Sequence, residues 1–239
     1  MRYILLFFLL VVQMFASSIQ SSVMSVDEAS SIATTKVKSV DAGVSGFIVH
    51  KIAEGHEIIL KRVVVTSFDA TTQIATLAMS DYDGLKNEAL PSAKWNVVVG
   101  DKVILAFGYT RAILIAPNEE IYHQITKSVN VQWIHPDVFA TILSYNSHPT
   151  PIKSDFDDMS EILSIGLIYF YIDGKLYTVD AKSFKILNVV EASYNATTQN
   201  VPFFTRVGEI ETSWWEFGAG TNKMDDYTSY YQTLLEQYN

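Results

Sequence analysis

From Gly46 onward, apolar residues come in short runs divided by polar turns. Phe47, Ile48, Val49 and Ile52 make one run, Ile58 to Thr66 a second rich in Val and Ile, and Ile74 to Met79 a third. Glu54-Gly55-His56 and Asp69-Ala70-Thr71-Thr72 separate them as turns. Short β-type runs with tight connections predict an antiparallel meander. Asp81 to Ala93 is polar, holds Gly84 and Pro91, and reads as a loop. Trp95 to Val99 and Val103 to Phe107, divided by Gly100-Asp101, are expected to extend the sheet. Residues 46–111 are therefore expected to form a small antiparallel β-barrel or sandwich.

The period changes at Ala112. Ala112 to Ala116 reads as a short buried strand, and Pro117-Asn118-Glu119-Glu120 then opens a helix, with Asn118 as N-cap and acids in the first turn. Ile121, Ile125 and Val129 fall on one helical stripe. Val131 to Ile134 reads as a strand, and Pro136-Asp137 begins a second helix through about Leu143. The layout is β-α-β-α. Gly166 to Ile172 is the next strand. Asp173-Gly174 is a strong type I′ hairpin signal, and Phe184 to Val190 continues the meander. Glu211 to Phe217 and Tyr227 to Tyr238 read as helices, with Gly218-Ala219-Gly220 a break between them. The expected class is α+β, with a small β domain over 46–111 and an α/β domain with C-terminal aromatic helices over 112–239.

The N-terminus has a different character. Arg2 precedes an apolar run from Tyr3 to Val12, and the small residues Ala16, Ser17 and Ser18 follow. This is the layout of a secretory signal peptide, expected to span 1–18 and to be cleaved near Ser18. An uncleaved anchor fits less well, because a spanning helix needs about 20 apolar residues and Gln13 and Ser17 interrupt the run. No later segment is long and apolar enough to span a bilayer, so none is expected after cleavage. Residues 19–45, rich in Ser, Thr and Ala, read as a flexible linker.

Charge narrows the partners. Among 239 residues, Lys+Arg 17 stands against Asp+Glu 26, a net charge of −9. The excess is local: residues 1–111 carry 10 basic and 10 acidic side chains, residues 112–239 carry 7 and 16. An acidic chain with 4 Arg is poorly suited to phosphate backbones, which argues against nucleic acid. With Cys 0 there is no disulfide, thiolate metal site or cysteine nucleophile.

Candidate chemistry is sparse. His50, His56, His123, His135 and His148 include no pair at the helical metal spacing, and His135 before Pro136 is expected to shape the start of a helix. Asp155, Asp157, Asp158 and Glu161 are the densest acid cluster but lack the alternating calcium-loop pattern; they read as a solvated loop favouring the N-terminus of the helix holding Glu161. Nucleophile-elbow, dinucleotide and Walker signatures are absent. Asn195-Ala196-Thr197 matches a general glycosylation sequon without the preceding acid bacterial glycosylation uses, so no glycan is expected. Trp214, Trp215 and Phe217 precede Tyr227, Tyr231, Leu234 and Tyr238, a stripe of the kind that normally faces a core. Neither a catalytic residue, a cofactor nor a metal ligand is expected.

Three segments carry a resemblance. They are Ala112-Ile113-Leu114-Ile115-Ala116-Pro117-Asn118-Glu119-Glu120-Ile121-Tyr122, Val201-Pro202-Phe203-Phe204-Thr205-Arg206-Val207, and Tyr230-Tyr231-Gln232-Thr233-Leu234. With Gly46-Phe47-Ile48-Val49 and Gly100-Asp101, they resemble the N-terminal domain of the plasminogen-binding proteins PgbA and PgbB of epsilon-class proteobacteria, from about residue 44 to the end. The resemblance implies an exported, non-enzymatic envelope or surface protein binding host plasminogen; the alternative is a periplasmic envelope scaffold or assembly factor without plasminogen binding, so the expected place is the periplasm, the outer membrane or the cell surface. It also implies a Lys- and Glu-rich C-terminal extension ending in lysine, whereas this sequence ends at Tyr238-Asn239. Kringle sites take a lysine ammonium, so internal lysines would have to serve. Lys175, Lys182 and Lys185 are the candidates, with Asp173 and Asp180 near them in sequence, and binding is expected to be weak or absent, weaker than in relatives with the basic tail.

Overall fold

The computed structural model describes residues 18–82, 84, 95–194, 199–208, 210 and 222–239. The expected signal peptide, most of the 81–93 loop, the Asn195 sequon, the 211–217 helix and the glycine break after it lie outside the described residues.

Six strands close into a barrel, in the order β1-β2-β5-β4-β3-β6. They are β1 (Ile19–Asp27), β2 (Ile32–Lys36), β3 (Ser45–Ala53), β4 (His56–Asp69), β5 (Ile74–Asp81) and β6 (Lys102–Leu105), and every pairing is antiparallel. The expected linker over 19–45 is therefore corrected: most of it is β1 and β2, and β1 closes the barrel by pairing with both β2 and β6. Its Ser- and Thr-rich composition fits a tight cylinder. Ser25 and Thr34 hydroxyls meet at 2.6 Å across the pair, Thr35 donates to the Ser22 carbonyl at 2.8 Å, and Ser21 donates to the Lys36 carbonyl at 2.6 Å. Val23 and Ala33 fill the interior. The Trp95–Val99 run is also corrected. It is irregular chain, although Val97 is buried, and the strand begins only at Lys102.

The second sheet has five strands in the order β11-β10-β9-β7-β8. They are β7 (Arg111–Ile115), β8 (Gln132–Ile134), β9 (Leu167–Ile172), β10 (Lys175–Asp180) and β11 (Ile186–Glu191). β7 runs parallel to β8 and β9, and β9, β10 and β11 form an antiparallel meander. Helices α1 (Glu119–Ser128), α2 (Pro136–Asn146), α3 (Lys153–Leu163) and α4 (Tyr227–Tyr238) complete an α+β fold. The start of α1 is capped as its residues predict: the Asn118 side chain accepts from the Ile121 amide at 2.9 Å. His135 caps α2 by accepting from the Asp137 amide at 3.2 Å, with Pro136 in the first turn. At the hairpin, Asp173 (φ 47°) and Gly174 (φ 75°) both occupy the left-handed region a type I′ turn requires.

Alternation of side chains decides the layering. On β7, Ala112 and Leu114 face the barrel core and α1, while Ile113 and Ile115 face a second core with α2, α3 and α4. On β9, Leu167 and Tyr169 take the first side and Ile168 and Phe170 the second. The sheet is thus buried on both faces, which is why its central strands are continuously apolar. The second core is aromatic. Phe139 of α2 stacks on Phe203 at 5.5 Å and meets Phe156 of α3 at 4.8 Å; Phe156 reaches Phe170 and Phe184, and Phe170 meets Tyr231 of α4. Each such ring contributes roughly 1.5–3 kcal/mol by burial. Tyr227, Tyr231 and Leu234 of α4 are buried here, as the stripe predicts.

Candidate functional site

The candidate lysines have separate fates. Lys175 begins β10 beside the hairpin, its side chain 45 % exposed and its ammonium 3.8 Å from the Glu191 carboxylate on β11. Lys185 is committed internally: its ammonium donates to the Tyr238 carbonyl at 2.5 Å, at the C-terminal end of α4, where a cation is favoured by the helix dipole. Lys182 turns into a groove, 3.6 Å from Glu161 and largely covered. Burial lowers its pKa, reinforced by the Arg62 charge and opposed by Glu161.

Asp173 and Asp180 were the acids near these lysines in sequence. Asp180 is fully buried and receives the backbone amides of Lys182 at 2.8 Å and Ser183 at 2.7 Å, the Ser45 amide at 2.8 Å and the Tyr109 hydroxyl at 2.5 Å. It shapes the chain around Lys182 without pairing to an ammonium. Asp173 serves the turn.

The groove that receives Lys182 runs between barrel strands β3, β4 and β6 and the last turn of α3, and encloses about 550 Å³. One wall is aromatic: Phe47 meets Tyr82 edge-on at 5.7 Å and Phe107 at 5.5 Å. The Arg62 guanidinium lies over the Tyr82 ring at 5.5 Å and donates to Glu161. Glu161 thus receives two cations, Arg62 from the barrel and Lys182 from the β10–β11 connection. Sequence reasoning reached Lys182 and Glu161 but not Phe47, Arg62 or Phe107 as site residues. These three sit on β3, on β4 and just after β6, with no local motif joining them.

The acid cluster is not a solvated loop. All four acids belong to α3, and Asp155 is buried. Its carboxylate accepts the Ile152 amide at 2.8 Å, holding the start of α3, while Asn146 donates to it at 3.1 Å and His148 Nδ1 lies at 2.8 Å. Asp157 takes Lys153 at 2.6 Å; burial raises its pKa even so. Among the described residues, no group of three or more His, Cys, Asp or Glu is placed to hold a metal ion. No described helix is long and apolar enough to cross a membrane.

Similarity to known proteins now joins this geometry. Plasminogen-binding protein PgbA of Helicobacter pylori strain J99 is 27% identical over 197 residues, covering 82% of this chain and 42% of that protein. PgbA of Helicobacter pylori strain 26695 is 26% identical over 200 residues, covering 83% and 43%. The chain therefore spans less than half the length of these relatives. The sequence model described as plasminogen-binding protein PgbA N-terminal matches residues 18–235, from the first barrel strand into α4. The chain belongs to the PgbA N-terminal family.

Proposed function

We propose that this chain is an exported, non-enzymatic binding protein whose partner is plasminogen. The family match over residues 18–235 carries the reading, because the two relatives are named for that binding. The non-enzymatic part follows the same names. Export follows Arg2, the Tyr3–Val12 apolar run and the small residues at 16–18.

The lysine geometry supports one mode of contact. Kringle sites take an ammonium beside an acid, and Lys175 with Glu191 offers such a pair on an exposed hairpin. Lys182 and Lys185 are held inside the fold. An exposed pair of this kind contributes only ~0–1 kcal/mol by itself, so the binding is weak. Surface plasmon resonance of the mature chain against plasminogen, with and without a lysine analogue, tests this. Weak, analogue-sensitive binding is expected; no binding at micromolar plasminogen overturns the reading.

The internal commitment of Lys182 and Lys185 favours a second reading, a periplasmic scaffold or assembly factor. Cell fractionation with a surface-protease test separates the two: surface cleavage supports plasminogen access, and protection supports the scaffold.

A further inference from the structure

The second sheet ends in an open strand. β11 has β10 as its single neighbour, whereas the barrel is closed and the opposite edge strand, β8, is only Gln132–Ile134 and is followed by His135-Pro136. β11 is thus the one long free edge among the described residues. Free edges are normally blunted by Lys, Pro, a bulge or shortness. β11 reads Ile-Leu-Asn-Val-Val-Glu, with neither Lys nor Pro, and its bulge is confined to the Ile186–Asn188 end.

Backbone direction decides what this edge offers. The Asp180 amide donates to the Lys185 carbonyl, and the Ala192 amide donates to the Gly174 carbonyl, so both ends of β11 are tied toward β10. Alternation back from Ala192 turns the amides and carbonyls of Leu187, Val189 and Glu191 outward. The Ile186 amide also points outward, but the Asn239 side chain takes it at 2.6 Å, so the open stretch begins at Leu187. Among the described residues, no hydrogen bond takes up the outward backbone groups of Leu187, Val189 or Glu191. The Val189 side chain, opposite Tyr177 of β10, is 44 % exposed.

We propose that this edge pairs antiparallel with the same edge of a second copy of the chain, centred on Val189, so that two second sheets become one. In that register Val189 meets Val189 of the second copy, Asn188 meets its Val190 and Leu187 meets its Glu191. The charges suit a second copy. Lys185 and Glu191 stand at opposite ends of the strand, and antiparallel pairing sets each Glu191 diagonal to Lys185 of the other copy, a separation long side chains bridge. Both lie on the same face. Glu191 opposes Lys175, which alternates with Tyr177 and Val179 toward the second core, and the Lys185 ammonium reaches the end of α4 on that side. The Tyr238 carbonyl takes one of the ammonium's three donors and leaves the others for Glu191. From Ala192 to Val201 the chain that follows β11 carries no charge to oppose the contact. One open edge per copy closes the association at two, with no growth into a filament.

The test is sedimentation equilibrium of the mature chain, without plasminogen, so its outcome is independent of the reading above. A contact of this length lies at the small end of interface sizes, below about 1,200 Å² in total, and a reversible dimer with Kd ~100 μM is expected. Val189→Pro removes an outward amide and leaves the β10 ladder in place, a position where an edge strand tolerates proline. Val189→Lys sets two ammoniums across the two-fold axis without touching the backbone. Each is expected to weaken the dimer about tenfold or more, with the melting temperature in dilute solution near that of the parent. The register has its own readout. The chain has no cysteine, so Val189→Cys supplies a single thiol. Directly opposed residues of this kind have Cα atoms about 5.5 Å apart, within disulfide range. Oxidised glutathione is therefore expected to link Val189→Cys into a covalent dimer faster than Val99→Cys, an exposed position beside the barrel. A parent that sediments as a monomer at about 1 mM, a dimer unaffected by both Val189→Pro and Val189→Lys, or a Val189→Cys variant that links no faster than Val99→Cys overturns the proposal.

Discussion

The Tyr109 hydroxyl donates to Oδ2 of Asp180 at 2.5 Å across 71 residues of sequence, with both side chains buried. Tyr109 lies between the last barrel strand and β7, and Asp180 ends β10. The same carboxylate receives the Ser45 amide at the start of β3, so one charge ties the barrel to the second sheet. Burial first, then the Asp180 charge, pushes the Tyr109 ionisation far above the ordinary tyrosine value, and the phenol stays a donor.

Removing that carboxylate leaves four donors without their acceptor. Asp180→Ala is expected to destabilise the fold by about 3 kcal/mol or more, against ~1–2 kcal/mol for Tyr109→Phe, which removes one donor and leaves three. Urea unfolding of both variants checks the order. Equal losses would show that Asp180 acts mainly through Tyr109 and not as a hub.

Two glycines of the second sheet differ in what they do. Gly174 has φ +75° and nothing within 4 Å of an added Cβ. Gly174→Val therefore costs backbone strain alone, ~1–2 kcal/mol. At Gly166 an added Cβ would lie 2.4 Å from the Gly108 carbonyl carbon, which is backbone and cannot rotate away. Gly166→Ala is expected to cost about 3 kcal/mol, because the chain after β6 must move. Thermal melts of the two variants should rank Gly166→Ala as the worse, and the reverse order would place the close approach elsewhere.

Asp137 gives the fold a dependence on acid. Burial raises its pKa, but the Arg206 amide and guanidinium and the Thr205 hydroxyl outweigh it and hold the carboxyl at about 2, below the ordinary 3.8. A depressed folded pKa contributes stability above the unfolded value and loses it as pH falls through the folded one. The window lies between about pH 4 and pH 2. The side chain is 21 % exposed, so the contribution is about 1 kcal/mol after solvent screening. The stability difference between the parent and Asp137→Asn should be largest near neutral pH and shrink toward pH 2. A difference that stays constant across this window would show that the hydrogen bonds, and not the charge, hold the 205–206 segment on α2.

Features written in adjacent residues were legible before the structure. Asn118 before two glutamates, His135 before Pro136, and Asp173-Gly174 between aromatic strands each place a cap or turn through local chemistry. The switch from paired strands to β-α-β-α was legible too, because apolar period alone separates the two halves. β1 and β2 were not, since hydroxyl-rich strands resemble a linker until Thr35, Ser25 and Ser21 find partners across the barrel. The groove was the least legible. Phe47, Arg62, Phe107, Glu161 and Lys182 come from five separate segments, and only the packing of α3 on the barrel brings them together.

The lysines make the sharpest functional contrast. Lys175 touches Glu191 at 3.8 Å on an exposed hairpin, and replacing it removes a pair that contributes little to the fold. Lys185 anchors the end of α4 through the Tyr238 carbonyl, and Lys185→Ala is expected to cost about 1 kcal/mol of stability. Binding of Lys175 in a kringle site would bury its ammonium against aromatic rings, a contact worth ~2 kcal/mol when desolvated. Lys175→Ala should therefore lower plasminogen affinity about tenfold or more with an unchanged melting temperature. Lys185→Ala should do the opposite, lowering the melting temperature and leaving the affinity near that of the parent. The pair is measured by plasmon resonance and calorimetry on the same preparations. If Lys175→Ala binds plasminogen as the parent does, the hairpin is not the contact.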